Sequence, residues 1–210
     1  MPEVEHIPTQ RSTFDATVVV GTFGEDHWRE LAVSRAMPSA IDQSPVLHAH
    51  GVTLAKARNA ALKRVETEWV VFLDADDELM PGYMDAMSTG HADLRAPSVE
   101  YVKGMKRQRP IVPKVAGHSH DCDGECLLEG NWLVIGSAVK TEIIREVGGF
   151  HEYEVYEDWD AWLRCYLAGA SVEAIPEAVY RAHVRHDSRN RAPSMTIKNR
   201  IHHEIVRAIG

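Results

Sequence analysis

Three short apolar segments separated by helical patterns constrain the fold of this chain more than any other feature. The segments are "ATVVVGTF" (16–23), "VLHAH" (46–50) and "WVVFLD" (69–74). Their β-branched and apolar side chains are typical of buried strands. Because a helical pattern separates each strand from the next, we expect a largely parallel sheet, whose ligands bind beyond the carboxyl ends of the strands.

Two helices are predicted between these strands. In "EDHWRELAVSRAM" (25–37) apolar and long side chains recur at helical spacing, and the turn-rich "PSAIDQSP" (38–45) follows it. Gly51 and Thr53 are expected to open the second helix. One face of that helix carries Leu54, Ala57, Ala61, Leu62 and Val65. The predicted fold class is α/β, a single domain with a mostly parallel central sheet flanked by helices.

Composition agrees with one domain and limits its partners. With 210 residues, of which 44% are hydrophobic, the chain can bury roughly 70% of its unfolded surface in one core. No run approaches the ~18 apolar residues of a membrane span, and the N-terminus lacks the basic start and apolar run of a signal peptide. We therefore expect a soluble, cytoplasmic protein. A formal net charge of -8 argues against nucleic acid as a partner.

The third strand ends in an acidic cluster, "DADDE", which contains Asp74, Asp76, Asp77 and Glu78. Clustered carboxylates repel one another unless water or a cation compensates them. Oxygen ligands of this kind suit Mg²⁺ or Mn²⁺, which commonly also bind substrate phosphates. The alternative is an acidic turn that caps a following helix near Pro81.

Five motifs in order resemble glycosyltransferase family 2, from Ala16 to about Ser188. "VVVGTF" is similar to the first strand and nucleotide-binding loop of the family, "LAKARNAAL" to its "aaRNxgl" helix, and "VVFLDADDEL" to its Asp-x-Asp strand. "VGGFHE" with "YEDWDAWLRCYLAG" resembles its "GGFde...EDwdlwlRl" segment, and "VYRAHVRHDS" its "yRvHpgS" tail. The resemblance implies the type A glycosyltransferase fold, with a Rossmann-like nucleotide-binding half.

The resemblance also implies an organisation and an activity. Residues 1–14 would form an N-terminal arm, 16–94 the nucleotide-sugar-binding half, 95–180 the acceptor-side half, and 181–210 a basic tail. The activity would be sugar transfer from a nucleotide-diphosphate sugar, weakly favouring a UDP-sugar, to an acceptor hydroxyl that the sequence does not identify. Inversion is expected, although "TFGEDHW" also resembles the "FHNEaW" loop of the retaining polypeptide N-acetylgalactosaminyltransferases.

Site residues follow from the same resemblance. Asp76 and His183, with Asp74, would hold Mn²⁺ or Mg²⁺ against the diphosphate, and Asp158 would be the catalytic base. The implied donor-binding set is Thr22, Phe23, Glu25, Asp42, Arg58, Asn59, Asp74, Ala75 and Asp76. Asp42 is included although it is the only acidic residue in 38–51, where the family usually has "DDGS", so the nucleotide is poorly defined.

Ordinary structural roles stay open for several of these residues. His183 could be a hydrogen-bonded surface histidine, and Phe23 could belong to the core. "YED" could be the acidic first turn of an amphipathic helix that carries Trp159 and Trp162.

"HSHDCDGEC" places His118, His120, Cys122 and Cys126 close together in an otherwise unassigned stretch. Two imidazoles and two thiols could bind structural zinc. The spacing fits no common zinc motif, so free thiols in a polar loop are an alternative. A Cys122–Cys126 disulfide is a third, which a reducing compartment disfavours.

Two rival functions and one closure hypothesis complete the expectations. An Asp-x-Asp strand also begins haloacid dehalogenase phosphatases, although there it stands near the N-terminus, and a non-catalytic nucleotide-sugar-binding domain is the other alternative. Lys and Arg outnumber Asp and Glu seven to two between Arg181 and Arg207. Residues 184–200, with Arg185, Arg189 and Arg191, could therefore close over an anionic donor.

Overall fold

The structure, a computed structural model, describes residues 3–7, 14–185, 196, 199–200, 203–205 and 207. Of residues 3–7 only the backbone is described. The first half of the chain contains β1 (Glu3–Ile7), β2 (Ala16–Phe23), α1 (Asp26–Leu31), α2 (Met37–Ile41), β3 (Val46–Gly51), α3 (Leu54–Leu62), β4 (Trp69–Asp74), β5 (Glu78–Leu79) and α4 (Tyr83–Met87). The second half contains β6 (Leu94–Lys103), β7 (Lys106–Arg107), β8 (Ala138–Lys140), α5 (Thr141–Glu146), α6 (Glu157–Leu167) and β9 (Val172–His183).

One mixed sheet contains all of these strands. Its order is β1-β3-β2-β4-β8-β6-β9-β5, and β7 pairs with β6. The strands β3, β2 and β4 are mutually parallel, as the strand and helix alternation predicts. The strands β6 and β9 form a second parallel pair, and β8 joins the two parallel groups by antiparallel pairing on both sides. The predicted α/β fold of a single domain is confirmed, and the antiparallel pairs are confined to the edges and to the junction.

The first helical region is longer than predicted. The segment "PSAI", expected as a turn, is helical within α2, and a π-helical turn (Ala32–Ala36) connects α1 to α2. A proline inside a helix removes one backbone donor and crowds the preceding turn. A wider π turn directly before Pro38 accommodates that ring, since such turns commonly absorb local strain in helices.

The second predicted helix begins and packs as expected. The Thr53 side chain caps α3 by accepting a hydrogen bond from the backbone nitrogen of Lys56 at 3.2 Å. The helix buries its Ala57 and Ala61 face and packs on β2 and β3.

An aromatic cluster joins the sheet to α6. Phe72 of β4 meets Phe150 edge to face, with ring centroids 4.7 Å apart, and Trp162 of α6 lies against both rings. All three side chains are buried. The packing fixes the start of α6 beside the carboxyl end of β4.

Among the helices that the structure describes, none combines the length and the apolar character that crossing a bilayer requires.

Candidate active site

A cavity of about 560 Å³ opens at the carboxyl ends of β2 and β4. The start of α6, the end of β9 and residues 131–135 form its other walls. Its lining consists of Gly21, Thr22, Phe23, Trp28, Leu54, Arg58, Asp74, Ala75, Asp76, Asp77, Tyr101, Asn131, Leu133, Val134, Ile135, Glu157, Asp158, Tyr180 and Ala182. The cavity therefore lies where the parallel strands were predicted to bind a ligand.

The acidic strand end supplies two carboxylates to this cavity. Asp74 is the last residue of β4, and Asp76 lies in the turn that follows. Burial, and next the charge of Asp74, raise the pKa of Asp76 to about 6. Two cations oppose this shift: Arg185 Nε lies 3.9 Å from Asp76 Oδ2, and Arg35 Nη1 donates to the backbone oxygen of Asp76 at 2.8 Å. Their charges lower the pKa of Asp76 but do not offset the effects of burial and of Asp74.

Arg58 connects the acidic strand end to the start of α6. It lies on α3 with only 2% of its side chain exposed. Its Nη2 donates to Asp74 Oδ1 at 2.6 Å, and its Nη1 donates to Glu157 Oε1 at 2.8 Å. The guanidinium also lies over the Phe150 ring, 5.1 Å from its centroid. A single buried cation therefore fixes two of the predicted motifs relative to each other.

Asp158 faces the cavity from the first turn of α6. Asn131 Nδ2 donates to Asp158 Oδ2 at 3.1 Å, and the backbone nitrogen of Trp159 donates to Oδ1 at 2.9 Å. Burial, and next the charge of Glu157, raise the pKa of Asp158 to about 6, whereas the charge of Arg58 lowers it. A carboxyl with a pKa near neutrality that lines a cavity can act as a general base.

The residue before this turn has an unusual backbone conformation. Tyr156 has a φ of 65°, the only positive φ of a non-glycine residue in the described part of the chain. A left-handed conformation of this kind costs of order 1–3 kcal/mol and is commonly found at functional sites. It turns the chain sharply into α6, so that Glu157 meets Arg58 while Asp158 meets Asn131.

His183 lies apart from the two aspartates. Its Nε2 lies 2.6 Å from Glu78 Oε2, and its backbone nitrogen donates to Asp77 Oδ1 at 2.7 Å. Asp77 also accepts a hydrogen bond from the buried Tyr180 hydroxyl at 2.6 Å. Within the described residues, Asp74, Asp76 and His183 do not form a group of ligand atoms close enough for one ion. Asp77 and Glu78 instead anchor the end of β9.

Several predicted donor residues lie elsewhere. Asn59 points away from the cavity and exchanges two hydrogen bonds with the backbone of Phe150, at 2.7 and 2.8 Å. Asp42 is exposed just before β3, at the opposite edge of the sheet. Glu25 is exposed and pairs with His27 at 3.2 Å. The structure brings none of these three side chains to the cavity.

The remaining predicted donor residues lie in the cavity wall. Thr22 is buried there, and its hydroxyl oxygen lies 3.0 Å from His48 Nε2 and 3.1 Å from His50 Nδ1. Phe23 and Ala75 also line the cavity.

The predicted closure of residues 184–200 falls largely outside the described residues, including Arg189 and Arg191.

Sequence reasoning missed several lining side chains. Trp28 fits a helical repeat, which indicates core packing, yet it lines the cavity with the Arg185 guanidinium 5.3 Å from its ring centroid. Strands and loops of the second half of the chain bring three further side chains into the cavity wall, those of Tyr101, Asn131 and Tyr180. Two sequence signals pointed to part of this wall: the family-like tail motif, which contains Tyr180, and the basic tail predicted to close over an anionic donor.

The carboxyl-edge cavity, the Asp-x-Asp strand end and the mixed sheet agree with the type A glycosyltransferase fold that the sequence resemblance implies. The glycosyl transferase family 2 model matches residues 40–117. This match and the fold together confirm the resemblance to that family. A search of curated proteins found no significant sequence match.

Solved structures of S. aureus TarS share this fold. TarS 1–349 in complex with UDP-GlcNAc superposes with a TM-score of 0.66 at 17% identity, over 93% of this chain and 65% of that chain. TarS 1–349 in complex with UDP superposes with a TM-score of 0.57 at 18% identity, over 81% of this chain and 60% of that chain. The present chain thus spans about 65% or less of the TarS chains that it matches.

Proposed function

We propose that this chain transfers a sugar from a nucleotide-diphosphate sugar, with UDP as the nucleotide, to an acceptor hydroxyl. The observation that carries the proposal is the buried ion-pair bridge through Arg58, which holds the Asp-x-Asp strand end and the Glu157–Asp158 turn on one cavity. One wall then presents carboxylates suited to a cation, and another presents a carboxyl suited to proton removal.

The first of these walls fits a divalent cation. Asp74 and Asp76 supply hard oxygen ligands, and a bound cation would offset the burial and the charge of Asp74 that raise the pKa of Asp76. Bound there, Mn²⁺ or Mg²⁺ would stabilise the charge that grows on the departing diphosphate. Among the described residues, His183 does not join Asp74 and Asp76 in a group of ligand atoms close enough for one ion, so its role as a ligand stays a prediction.

The second wall fits a general base. A sugar hydroxyl loses its proton as it attacks, and Asp158 lies at the cavity surface with its orientation fixed by Asn131. A base that activates the acceptor directly favours a single displacement and therefore inversion at the anomeric carbon. One carboxylate oxygen accepts from the backbone of its own helix at Trp159 and the other from Asn131, so the two contacts together fix the orientation of the Asp158 carboxylate.

Two features support a UDP-sugar donor. TarS structures contain UDP-GlcNAc and UDP, and here Phe23 and Trp28 give the cavity aromatic faces on which a base or a ribose can pack. The haloacid dehalogenase alternative loses support, because the Asp-x-Asp motif ends the fourth strand in chain order and Asp74 is paired with Arg58.

Calorimetry with two matched variants tests the proposal. We expect UDP and UDP-sugars to bind in Mn²⁺ and to bind at least tenfold more weakly in EDTA. Asp76→Asn should weaken this binding, because its contact precedes the transition state. Asp158→Asn should bind the donor normally but lower transfer, or slow donor hydrolysis, by ~10² to 10⁴.

Asp42→Asn is the matched control, because Asp42 is exposed and distant from the cavity. It should change neither binding nor turnover. Equal affinity in EDTA and Mn²⁺ would refute the cation site. If the donor binds normally but its sugar is transferred neither to any tested acceptor nor to water, the non-catalytic alternative is favoured.

A further inference from the structure

The acceptor-side wall of the cavity comes from a long irregular segment. Residues 108–137 connect β7 to β8, and their regular structure is limited to an isolated bridge at Ile111 and a 3₁₀ turn at Glu125–Leu128. The segment nevertheless carries Asn131 and residues 133–135 into the cavity. An irregular segment of this length requires contacts of its own to hold one conformation.

A cluster of soft ligands lies at the middle of this segment. His118 Nδ1 lies 3.6 Å from Cys126 Sγ and 3.8 Å from Cys122 Sγ. The ligand atoms of all three lie within 4.8 Å of one another. Zinc bonds of about 2.3 Å to sulfur and 2.0–2.1 Å to nitrogen place neighbouring ligands of a tetrahedron about 3.5–3.8 Å apart. The two distances from His118 Nδ1 to the sulfurs match these edges.

His120 lies near enough to supply a fourth ligand. His120 Nε2 lies 3.9 Å from Cys126 Sγ, and the two imidazole rings lie 4.8 Å apart between centroids. His120 is exposed, so its ring can move without disturbing the core. The nearby carboxylates Asp121 and Asp123 already have partners, because Asp121 pairs with Lys114 at 2.8 Å and Asp123 accepts from the backbone nitrogen of Glu125 at 3.0 Å.

The surroundings of the cluster resemble the outer shell of a metal site. His118 turns Nδ1 toward the thiols while its Nε2 lies 3.0 Å from Glu129 Oε2. A carboxylate on the second ring nitrogen fixes the tautomer and the orientation of a ligating histidine. The backbone nitrogen of Val115 donates to Cys122 Sγ at 3.4 Å, and such a hydrogen bond stabilises a thiolate. Both sulfurs are buried and neither is in a disulfide.

We propose that His118 Nδ1, Cys122 Sγ, Cys126 Sγ and His120 Nε2 bind one Zn²⁺ ion as a structural site. Two thiols release their protons to solvent as the ion binds, so the site changes from two S–H groups to two Zn–S bonds. Four protein ligands leave no position for substrate, which distinguishes this site from the cation site at Asp76.

The zinc site would stabilise the acceptor side of the cavity. The Trp132 indole donates to the backbone oxygen of Asp123 at 2.9 Å, and the Trp159 indole donates to that of Leu127 at 2.8 Å. These bonds connect the ligand loop to Asn131 and to the first turn of α6, which carries Asp158. Metal at the cluster therefore orders the wall against which an acceptor would bind.

Metal analysis of the untagged full chain tests the site directly. We expect about one zinc per chain after purification. Replacement by Co²⁺ should give thiolate-to-cobalt charge-transfer absorption with the intense visible bands of tetrahedral coordination. Cys126→Ser should lose both the zinc and the cobalt absorption. Cys165→Ser is the matched control, because Cys165 is a buried thiol on α6 outside the cluster, and it should keep both.

A chelator experiment keeps the test informative if Cys126→Ser does not fold. Stripping zinc from the wild-type chain should raise proteolysis within residues 108–137, and readding zinc should reverse it. The proposal is overturned if the wild-type chain, after incubation with excess zinc and dialysis, holds less than about a tenth of an equivalent. Loss of two titratable thiols in denaturant would also overturn it, since that result shows a disulfide. Neither readout depends on glycosyl transfer.

Discussion

The Arg58→Met substitution should be the most revealing perturbation of this molecule. Met has a similar length but no charge, so Glu157 and Asp74 lose a shared cation while the volume is nearly retained. Glu157 has a side-chain exposure of 5%, whereas that of Asp74 is 37%. Solvent therefore screens Asp74, and most of the penalty falls on Glu157.

Removing one partner of a buried ion pair typically costs about 3–5 kcal/mol, because the other charge stays buried. We expect Arg58→Met to lower the free energy of unfolding by that amount. Adding Glu157→Gln should recover part of the loss, since the pair then carries no buried charge, with a coupling of about 0.5–3 kcal/mol.

Lys56→Met on the same helix is the matched control. Lys56 is 53% exposed and pairs with Glu152 at 3.3 Å, and a surface pair of this kind contributes about 0–1 kcal/mol. Urea unfolding followed by circular dichroism measures all four proteins, and unchanged m-values would show that only stability changed. The reasoning fails if Arg58→Met costs no more than Lys56→Met, or if Glu157→Gln makes the loss larger rather than smaller.

Two further predictions follow from the site. The pKa of Asp158 is raised to about 6, so kcat/KM should fall as the pH drops below that value and level off above it. Arg58→Met should shift this fall to higher pH, because the charge of Arg58 lowers the pKa of Asp158. A pH profile at saturating Mn²⁺ measures both, and a flat profile from about pH 5 to 7 would contradict the base assignment. Gly136→Ala would place a Cβ 2.6 Å from Tyr180 Cε2, and forcing that ring to move should cost about 1–3 kcal/mol. In the control Gly130→Ala the nearest atom is Val115 Cγ1 at 3.3 Å, so a similar loss of stability in both variants would contradict the clash.

The raised carboxyl pKa values also determine the sign of what Asp76 and Asp158 contribute to the pH dependence of stability. Burial and neighbouring negative charge raise the pKa of Asp76 and that of Asp158 from the ordinary value of 3.8 to about 6. The folded state therefore binds protons more tightly at these groups than the unfolded chain does. Their contribution to stability is largest below the unfolded pKa and is lost as the pH rises through about 6.

Local sequence was sufficient for the elements that carry their own signals. Apolar, β-branched runs gave the strands at 16–23, 46–51 and 69–74, and Thr53 marked the start of α3. These features depend on neighbours a few residues away, so they can be read along the chain. The same holds for the acidic strand end, whose position beyond a buried strand places Asp74 and Asp76 at a carboxyl edge.

The differences between the predictions and the structure have the opposite character, since they depend on how distant parts of the chain pack together. Asn59 follows Arg58 directly, yet the helix turns it onto Phe150, 91 positions away along the chain. The family resemblance predicts Asp42 as a nucleotide ligand, but the chain reverses before β3 and leaves it at the far edge of the sheet. The predicted helix ends before Pro38, whereas in the structure a π-helical turn precedes Pro38 and the helical region continues to Ile41.

The sequence by itself thus determined the parallel strands, the family resemblance and the acidic end of β4, because each rests on local patterns and their order. Tertiary structure alone decided that Arg58 bridges Asp74 and Glu157, that Asn131 orients Asp158, and that Glu78 holds His183. Each of these contacts joins groups at least 16 residues apart. Such contacts depend on how β4, α3, α6 and β9 pack together, and no spacing within one segment encodes them.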